Sequence, residues 1–253
     1  MITIKSNREI TLMKEAGRIC AIAHRKVKEA IKANISTYDL DKIAEEVILE
    51  HDAIPSFKGY NGYPASICAS INNVVIHGIP SKKTKLKNGD IIAIDIGVCY
   101  KGYHGDCAFT HIVGNTNSKR QDLIKVTEEA LYAGLAYATS NNRLSDISHA
   151  IEKYVTKRGY NVVTDFTGHG IGRKLHEDPP IPNFGLPGYG PVLKPGMTLA
   201  IEPMVNIGSS DVLVLEDNWT TVTEDGSDSA HFEHTIVIQE KGYMILTKEE
   251  QHV

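Results

Sequence analysis

Acidic side chains recur in this chain inside stretches that are otherwise apolar enough to be buried. Asp95 lies in IIAIDIGVCY, Glu202 in TLAIEPMV and Glu233 in SAHFEHTIVI. Asp106 opens the apolar DCAFTHIVG, and His169 sits in the Gly-rich FTGHGIG. A carboxylate drawn into an apolar interior is costly unless it is protonated, paired or bound to a cation. A single case has an ordinary explanation in a hydrogen bond or a salt bridge. Four carboxylates and an imidazole in similar settings are more economically explained together, as a metal centre.

Spacing suggests a geometry. The two strand-like segments around Asp95 and Asp106 flank Lys101-Gly102. A hairpin turning midway between Tyr100 and Lys101 sets Asp95 directly opposite Asp106, with Cβ atoms roughly 4.5–5.5 Å apart. Two ionised carboxylates would repel there. A pair of divalent ions roughly 3.5–4 Å apart, bridged by one carboxylate, would resolve the conflict. Glu202 and Glu233 are candidates to repeat the arrangement across the long excursion VLVLEDNWTTVTEDG. The oxygen-rich donor set leans toward Mn²⁺, Fe²⁺ or Co²⁺ over Zn²⁺, which commonly takes more His or Cys.

His77, closing the strand-like VVIH, and His176 are candidates to hydrogen-bond a substrate carbonyl or move a proton. His24, His51, His149 and His252 read as satisfied polar side chains. His104, His111, His231 and His234 flank the ligand candidates. Strand alternation turns His234 away from the Glu233 face and His104 falls in the turn, so all four stay outside the expected site. The chain has no GxSxG, HExxH, Walker A or GxGxxG motif. Cys68 reads as a buried thiol rather than a nucleophile.

The 253 residues suffice for one sizeable core, and residues 1–253 are taken as a single catalytic domain. Ser6 with Glu9, and Ser36 with Asp39, carry capping-box signals ahead of two amphipathic stretches. The first runs to residue 33, with Ile10, Met13, Gly17, Cys20, Val27 and Ile31 near one face. Strand texture follows from Ala65, then helical segments over 119–138 and 144–158, then strands again. Helices, strands, helices, strands: the order points to an α+β fold with two similar halves.

A formal charge of −4 argues against a nucleic-acid substrate, and Lys82, Lys83, Lys85 and Lys87 read as a solvated loop. No segment is apolar enough to span a bilayer, the N-terminus lacks a signal-peptide core, and the four cysteines form no CxxC. A cytoplasmic protein with reduced thiols and no membrane association is expected.

The stretches GYNGYPASICASINNVVIHGIP, GDIIAIDIGVCYKGYHGDCAFT, FTGHGIGRKLHEDP, LKPGMTLAIEPM and HFEHTIVI resemble the type I methionine aminopeptidases of bacterial form. The resemblance covers most of the chain. It implies the pita-bread fold, two pseudo-symmetric halves with a curved antiparallel sheet covered by helices. It implies two divalent ions (Mn, Fe, Co or Zn), with Asp95 holding one, His169 and Glu202 the other, and Asp106 and Glu233 bridging. A hydroxide held there would attack the amide after the initiator methionine of nascent proteins whose second residue is small. Glu202 would shuttle the proton, His176 would stabilise the oxyanion, and His77 would contact the scissile amide. Tyr60, Tyr63, Cys68 and Trp219 match positions around the methionine side chain, although Trp219 also reads as a partly exposed hairpin aromatic.

Three positions depart from the pattern. Phe57 stands where cysteine is usual, Leu175 where phenylalanine is usual, and Gly97 where a Thr or Ser hydroxyl lies near the substrate amine. The first two nearly conserve pocket volume, and the third should weaken amine contacts. The family implies a monomer and leaves the ribosome open as a partner. Rival readings are a related fold member acting on X-Pro bonds or on a different amino-terminal residue, whose relatives usually carry a large N-terminal domain, and a non-catalytic binding module of the same fold.

Overall fold

Ser6 and Ser36 start the helices that organise the first half. Each side chain accepts from the backbone three residues on, and Glu9 and Asp39 reach back to the cap nitrogens. They open α1 (Asn7–Ala30) and α2 (Thr37–Glu50) in a computed structural model that describes residues 1–249, so His252 lies outside the described residues. Strands β1 (Ile54–Pro55), β2 (Ile67–Ile71) and β3 (Val74–Ile76) lead to a long hairpin, β4 (Ile91–Tyr100) and β5 (Tyr103–Ile112).

The second half repeats the scheme. Helices α3 (Ser118–Leu135) and α4 (Leu144–Thr156) precede β6 (Asn161–Val162), β7 (Thr167–Gly170), β8 (Glu177–Pro182) and β9 (Thr198–Ile201). Then come β10 (Met204–Asn206), β11 (Val212–Val214), β12 (Thr221–Thr223), β13 (Ser229–His231), β14 (His234–Ile238) and β15 (Tyr243–Ile245). The helices α1, α3 and α4 end at Ala30, Leu135 and Thr156, two or three residues before the periodicity suggests. Asn34 (φ 73°) and Gly159 (φ 81°) turn the chain away in left-handed conformations.

Every pairing between described strands is antiparallel. In the first sheet β4 is central, bordered by β5 on one side and by β1 and β2 on the other. The second runs β15-β14-β9-β7-β8, and smaller ladders join β13-β10-β6 and β11-β12-β3. Ile19, Val27, Leu40 and Ile48 of α1 and α2 pack on Ile92, Ile94 and Ile96 of β4. Leu131, Ile147 and Ile151 of α3 and α4 pack on Leu199, Ile236 and Ile238 in the same way. One helix pair covers each sheet, as the apolar stripes require.

The halves meet along β5 and β14. Thr235 Oγ1 accepts from Asp106 N at 2.9 Å and donates to Asp106 O at 2.8 Å. Glu233 N donates to Ala108 O at 2.7 Å, and Thr110 Oγ1 to His231 O at 2.9 Å. The seam therefore runs through the segments that carry Asp106 and Glu233.

The hairpin register differs from expectation. Tyr100 pairs with Tyr103 around the two-residue turn Lys101-Gly102, whose φ angles are 47° and 82°. Such a turn matches the strand twist and moves the pairing by two residues. Asp95 therefore faces Ala108 while Asp106 faces Gly97. The aspartates share a sheet face as diagonal neighbours, close enough for their carboxyl groups to touch. The directly opposed arrangement occurs in the other pair instead. His234 pairs with Ile201, and one more step along that register sets Glu233 across from Glu202. His104 lies in β5 rather than in the turn, again because the turn is shorter than expected.

Candidate metal centre and its pocket

The ligand candidates come from five separate segments. Asp95 and Asp106 sit on the β4-β5 hairpin, Glu202 just after β9 and Glu233 just before β14. His169 is in β7, between β8 and β9, where the flanking glycine makes room. A Cβ on Gly170 would fall 2.1 Å from Asp178 O, so no larger residue lets β7 and β8 close. His169 Nδ1 lies 2.9 Å from Gly170 O, a bond that requires the proton on Nδ1 and leaves the Nε2 lone pair facing inward.

Asp106, His169 and Glu233, all buried, bring ligand atoms within 4.8 Å of one another. His169 Nε2 is 3.5 Å from Glu202 Oε1. One carboxyl oxygen each of Asp95, Asp106 and Glu233 is buried with no hydrogen-bond partner. Each such orphan costs about 1–3 kcal/mol or more. Burial raises the Asp95 carboxyl to about 7 and Glu202 to about 8. Burial and the neighbouring carboxylates push Asp106 and Glu233 well above the usual range. Burial also depresses His169 to about 3, keeping it neutral. Four carboxyl groups crowded at this cost beside a neutral imidazole nitrogen fit a divalent cation, whose charge would favour their ionised, acceptor-only form.

The remaining candidates wall the same cavity. Tyr60, Tyr63, Cys68, His77, His176 and Trp219 line about 250 Å³ of space with the five ligand candidates, Phe57, Asn61 and Leu175. Tyr63 donates its hydroxyl to Ile67 O at 3.0 Å, which leaves its ring edge-on to Trp219 at 5.1 Å. His77 has left strand β3 and takes φ 60°, a conformation uncommon for a residue with a side chain. Its ring packs edge-on against Phe166 at 5.8 Å and Trp219 at 5.9 Å. Trp219, half-buried on the connection between β11 and β12, is a partly exposed hairpin aromatic that also lines the cavity.

His176 stands at the exposed mouth, 4.3 Å ring to ring from His169. Its Nδ1 lies 2.7 Å from the Tyr60 hydroxyl. A phenol donating there leaves the imidazole proton on Nε2. Cys68 pairs across from Asp95, and burial and that carboxyl push its thiol well above the ordinary value, the opposite of a nucleophile's environment.

Phe57 and Gly97 occupy each other's space. A Cβ on Gly97 would fall 2.6 Å from Phe57 Cε1 and 2.9 Å from Ser56 Cβ. The ring of Phe57 lies where a side chain at position 97 would begin, which ties together two departures that the sequence presents separately.

Sequence reasoning missed His231. It is 2% exposed, its Nε2 is buried without a partner, and that nitrogen lies 3.6 Å from Glu202 Oε2. The signal was available: two residues before Glu233, it shares that residue's side of an extended segment. His24, His111 and His234 fall elsewhere, around a second cavity behind β5 and β14.

Residues 11–240 match the model of metallopeptidase family M24. A methionine aminopeptidase of Bacillus subtilis is 56% identical over 98% of this chain and 100% of its own length. The crystal structure of methionine aminopeptidase from Thermotoga maritima superposes with a TM-score of 0.97 at 48% identity, covering 98% of this chain and all of that one. A prolidase from Pyrococcus furiosus has a TM-score of 0.80 at 23% identity; this chain covers 66% of it, and the likeness is one of fold. By full-length similarity and by fold, the chain belongs to metallopeptidase family M24, among the methionine aminopeptidases.

Proposed function

We propose that this protein removes the N-terminal methionine from nascent proteins and peptides, preferring a small second residue. One observation carries the reading. Orphaned carboxyl oxygens and the His169 lone pair converge in a cavity whose other wall, Phe57, Tyr63, Cys68, Leu175 and Trp219, suits one apolar side chain. Two divalent ions, of Mn²⁺, Fe²⁺, Co²⁺ or Zn²⁺, are the occupants proposed for the polar end, and the oxygen-rich donor set leans toward the first three. Asp95, Asp106, His169, Glu202 and Glu233 would hold them.

Bound ions of this kind polarise the scissile carbonyl and make water a competent nucleophile at neutral pH. The chain supplies the rest. Glu202 takes the proton from the attacking water and returns it to the departing amine. His176, its tautomer set by Tyr60, presents Nε2–H to the carbonyl oxygen as negative charge develops. His77 faces the scissile amide from the turn after β3. At Gly97 no side-chain hydroxyl meets the substrate ammonium, so a KM above that of a hydroxyl-bearing enzyme is expected.

The proposed setting is the cytoplasm, with the protein a monomer that acts on nascent chains and the ribosome left open as a partner. Among the described residues no helix is long and apolar enough to cross a membrane.

The reading is tested by stripping the protein of metal and assaying methionine release from Met-Ala-Ser and Met-Leu-Ser as Mn²⁺, Fe²⁺, Co²⁺ or Zn²⁺ is returned. Metal-dependent cleavage of the alanine peptide with poor cleavage of the leucine peptide supports it. A folded protein that cleaves neither peptide with any metal overturns it.

A further inference from the structure

His231 has the placement of a group with a task but no role in the scheme above. It closes β13, paired with Met204. Its backbone is held on both sides by one hydroxyl, with Thr110 Oγ1 donating to His231 O at 2.9 Å and accepting from His231 N at 3.0 Å. The ring is almost fully buried, and its Nε2 has no hydrogen-bond partner. Glu202 Oε2 lies 3.6 Å from that nitrogen.

Glu202 lies between two imidazoles with one oxygen toward each. Oε1 is 3.5 Å from His169 Nε2 and Oε2 is 3.6 Å from His231 Nε2. The two rings are not equivalent. His169 spends its proton on Gly170 O, so its Nε2 offers a lone pair and cannot donate to Glu202. His231 is free to carry its proton on Nε2. Asp95 is the other charged group that this ring faces.

We propose that His231 is a positioning residue for Glu202: its Nε2–H donates to Oε2, leaving Oε1 to face the ion site and the attacking water. The inference rests on the proposed aminopeptidase reading and deepens it. A carboxylate that must serve a cation and carry a proton needs a fixed rotation, and hydrogen bonds from residues behind the ligands supply such orientation. A closure of roughly half an ångström brings the pair into hydrogen-bond range.

Two substitutions separate this role from packing. His231→Phe keeps a ring and removes the donor, whereas His231→Gln removes the ring and keeps an N–H donor. The positioning role expects His231→Phe to lower kcat for Met-Ala-Ser about 10- to 100-fold with KM within about threefold, and His231→Gln to stay within about threefold of the parent. It also expects the visible absorption bands of the Co²⁺-loaded protein to change in His231→Phe and return in His231→Gln. That signature requires no turnover. The reverse order, with Phe tolerated and Gln damaging, indicates packing and overturns the proposal. So does an unchanged kcat and Co²⁺ spectrum in His231→Phe. A Co²⁺ Kd raised about 100-fold in both variants makes His231 a metal ligand, also against it. If His231→Phe does not fold, His231→Ala is read by the same criteria. A parent protein that cleaves neither peptide sinks the aminopeptidase reading alone, and the Co²⁺ spectra still decide the role of His231.

Discussion

Glu233 and His234 are adjacent in sequence and face opposite sides of the seam. In front, four carboxyl groups and His169 share a cavity of about 250 Å³ with several polar atoms unpartnered. Behind, His24, His111 and His234 line a cavity of about 460 Å³. His24 Nε2 meets Ile94 O at 3.1 Å, and His234 Nδ1 meets Thr247 Oγ1 at 2.8 Å. There only His111 keeps an unpartnered Nε2, on a ring that burial holds neutral. Both sides bury titratable groups. The rear mostly answers the cost with local hydrogen bonds, whereas the front leaves it for a ligand to answer. Buried titratable groups alone do not mark a site; buried groups whose acceptors have no donors do.

The contrast breaks most visibly in front. Asp106→Ala should lower kcat/KM for Met-Ala-Ser by more than about 1,000-fold, upward of ~4 kcal/mol, with bound metal falling in parallel by elemental analysis. In the metal-free protein the isosteric Asp106→Asn should melt higher than the parent near neutral pH, because the cost of burying an ionisable carboxyl beside its neighbours is removed. A lower melting temperature would contradict the account of the front cavity.

The rear cavity makes a prediction in pH. Burial holds His24 down at about 4 in the fold against an ordinary value of 6.5, and His111 is depressed in the same direction. The folded state resists a proton that the unfolded chain accepts. The contribution is therefore complete above about pH 6.5 and drains away as pH falls toward about 4. His24 alone should account for about 2 kcal/mol of stability lost between about pH 7.5 and about pH 5. His24→Gln, which keeps a donor for Ile94 O, should flatten that slope in urea denaturation of the metal-loaded protein.

Smaller effects sharpen the boundary of the front cavity. Gly97→Thr should cost about tenfold in kcat/KM because of the contact with Phe57, and Phe57→Ala in that background should recover most of it. The coupling energy in the double-mutant cycle should reach about 1–2 kcal/mol. Additive effects would show that the two positions act separately. The smallest change is expected from Cys68→Ser, within about threefold in kcat/KM, since a thiol in this environment is a wall and not a nucleophile.

Much of this was legible in the sequence because buried charge is conspicuous. Asp95, Glu202 and Glu233 stand out as acids in apolar segments, and a shared polar cavity is the economical way to bury them. The register of the β4-β5 hairpin was not legible. Lys101 adopts φ 47°, which its residue type does not announce, so a turn before it and a turn through it looked equally admissible. Both registers keep Asp95 and Asp106 on one face, since a shift of two preserves alternation. The face was therefore readable and the offset was not. His231 is readable by the same alternation that excludes His234, since a residue two before Glu233 shares its face. The conflict between Phe57 and Gly97 depends on the pairing of β1 with β4, which brings Pro55 against Val98, and no local pattern carries that.

The division of the ligand candidates between the halves bears on when such an enzyme can act. Asp95 and Asp106 belong to one helix-covered sheet, and His169, Glu202 and Glu233 to segments of the other half. A chain with only one half folded lacks part of the set, however well that half is formed. On the proposed ligand set, hydrolysis would require both halves to be folded and the β5-β14 seam to be closed, so correct assembly would act as a safety catch on the peptidase.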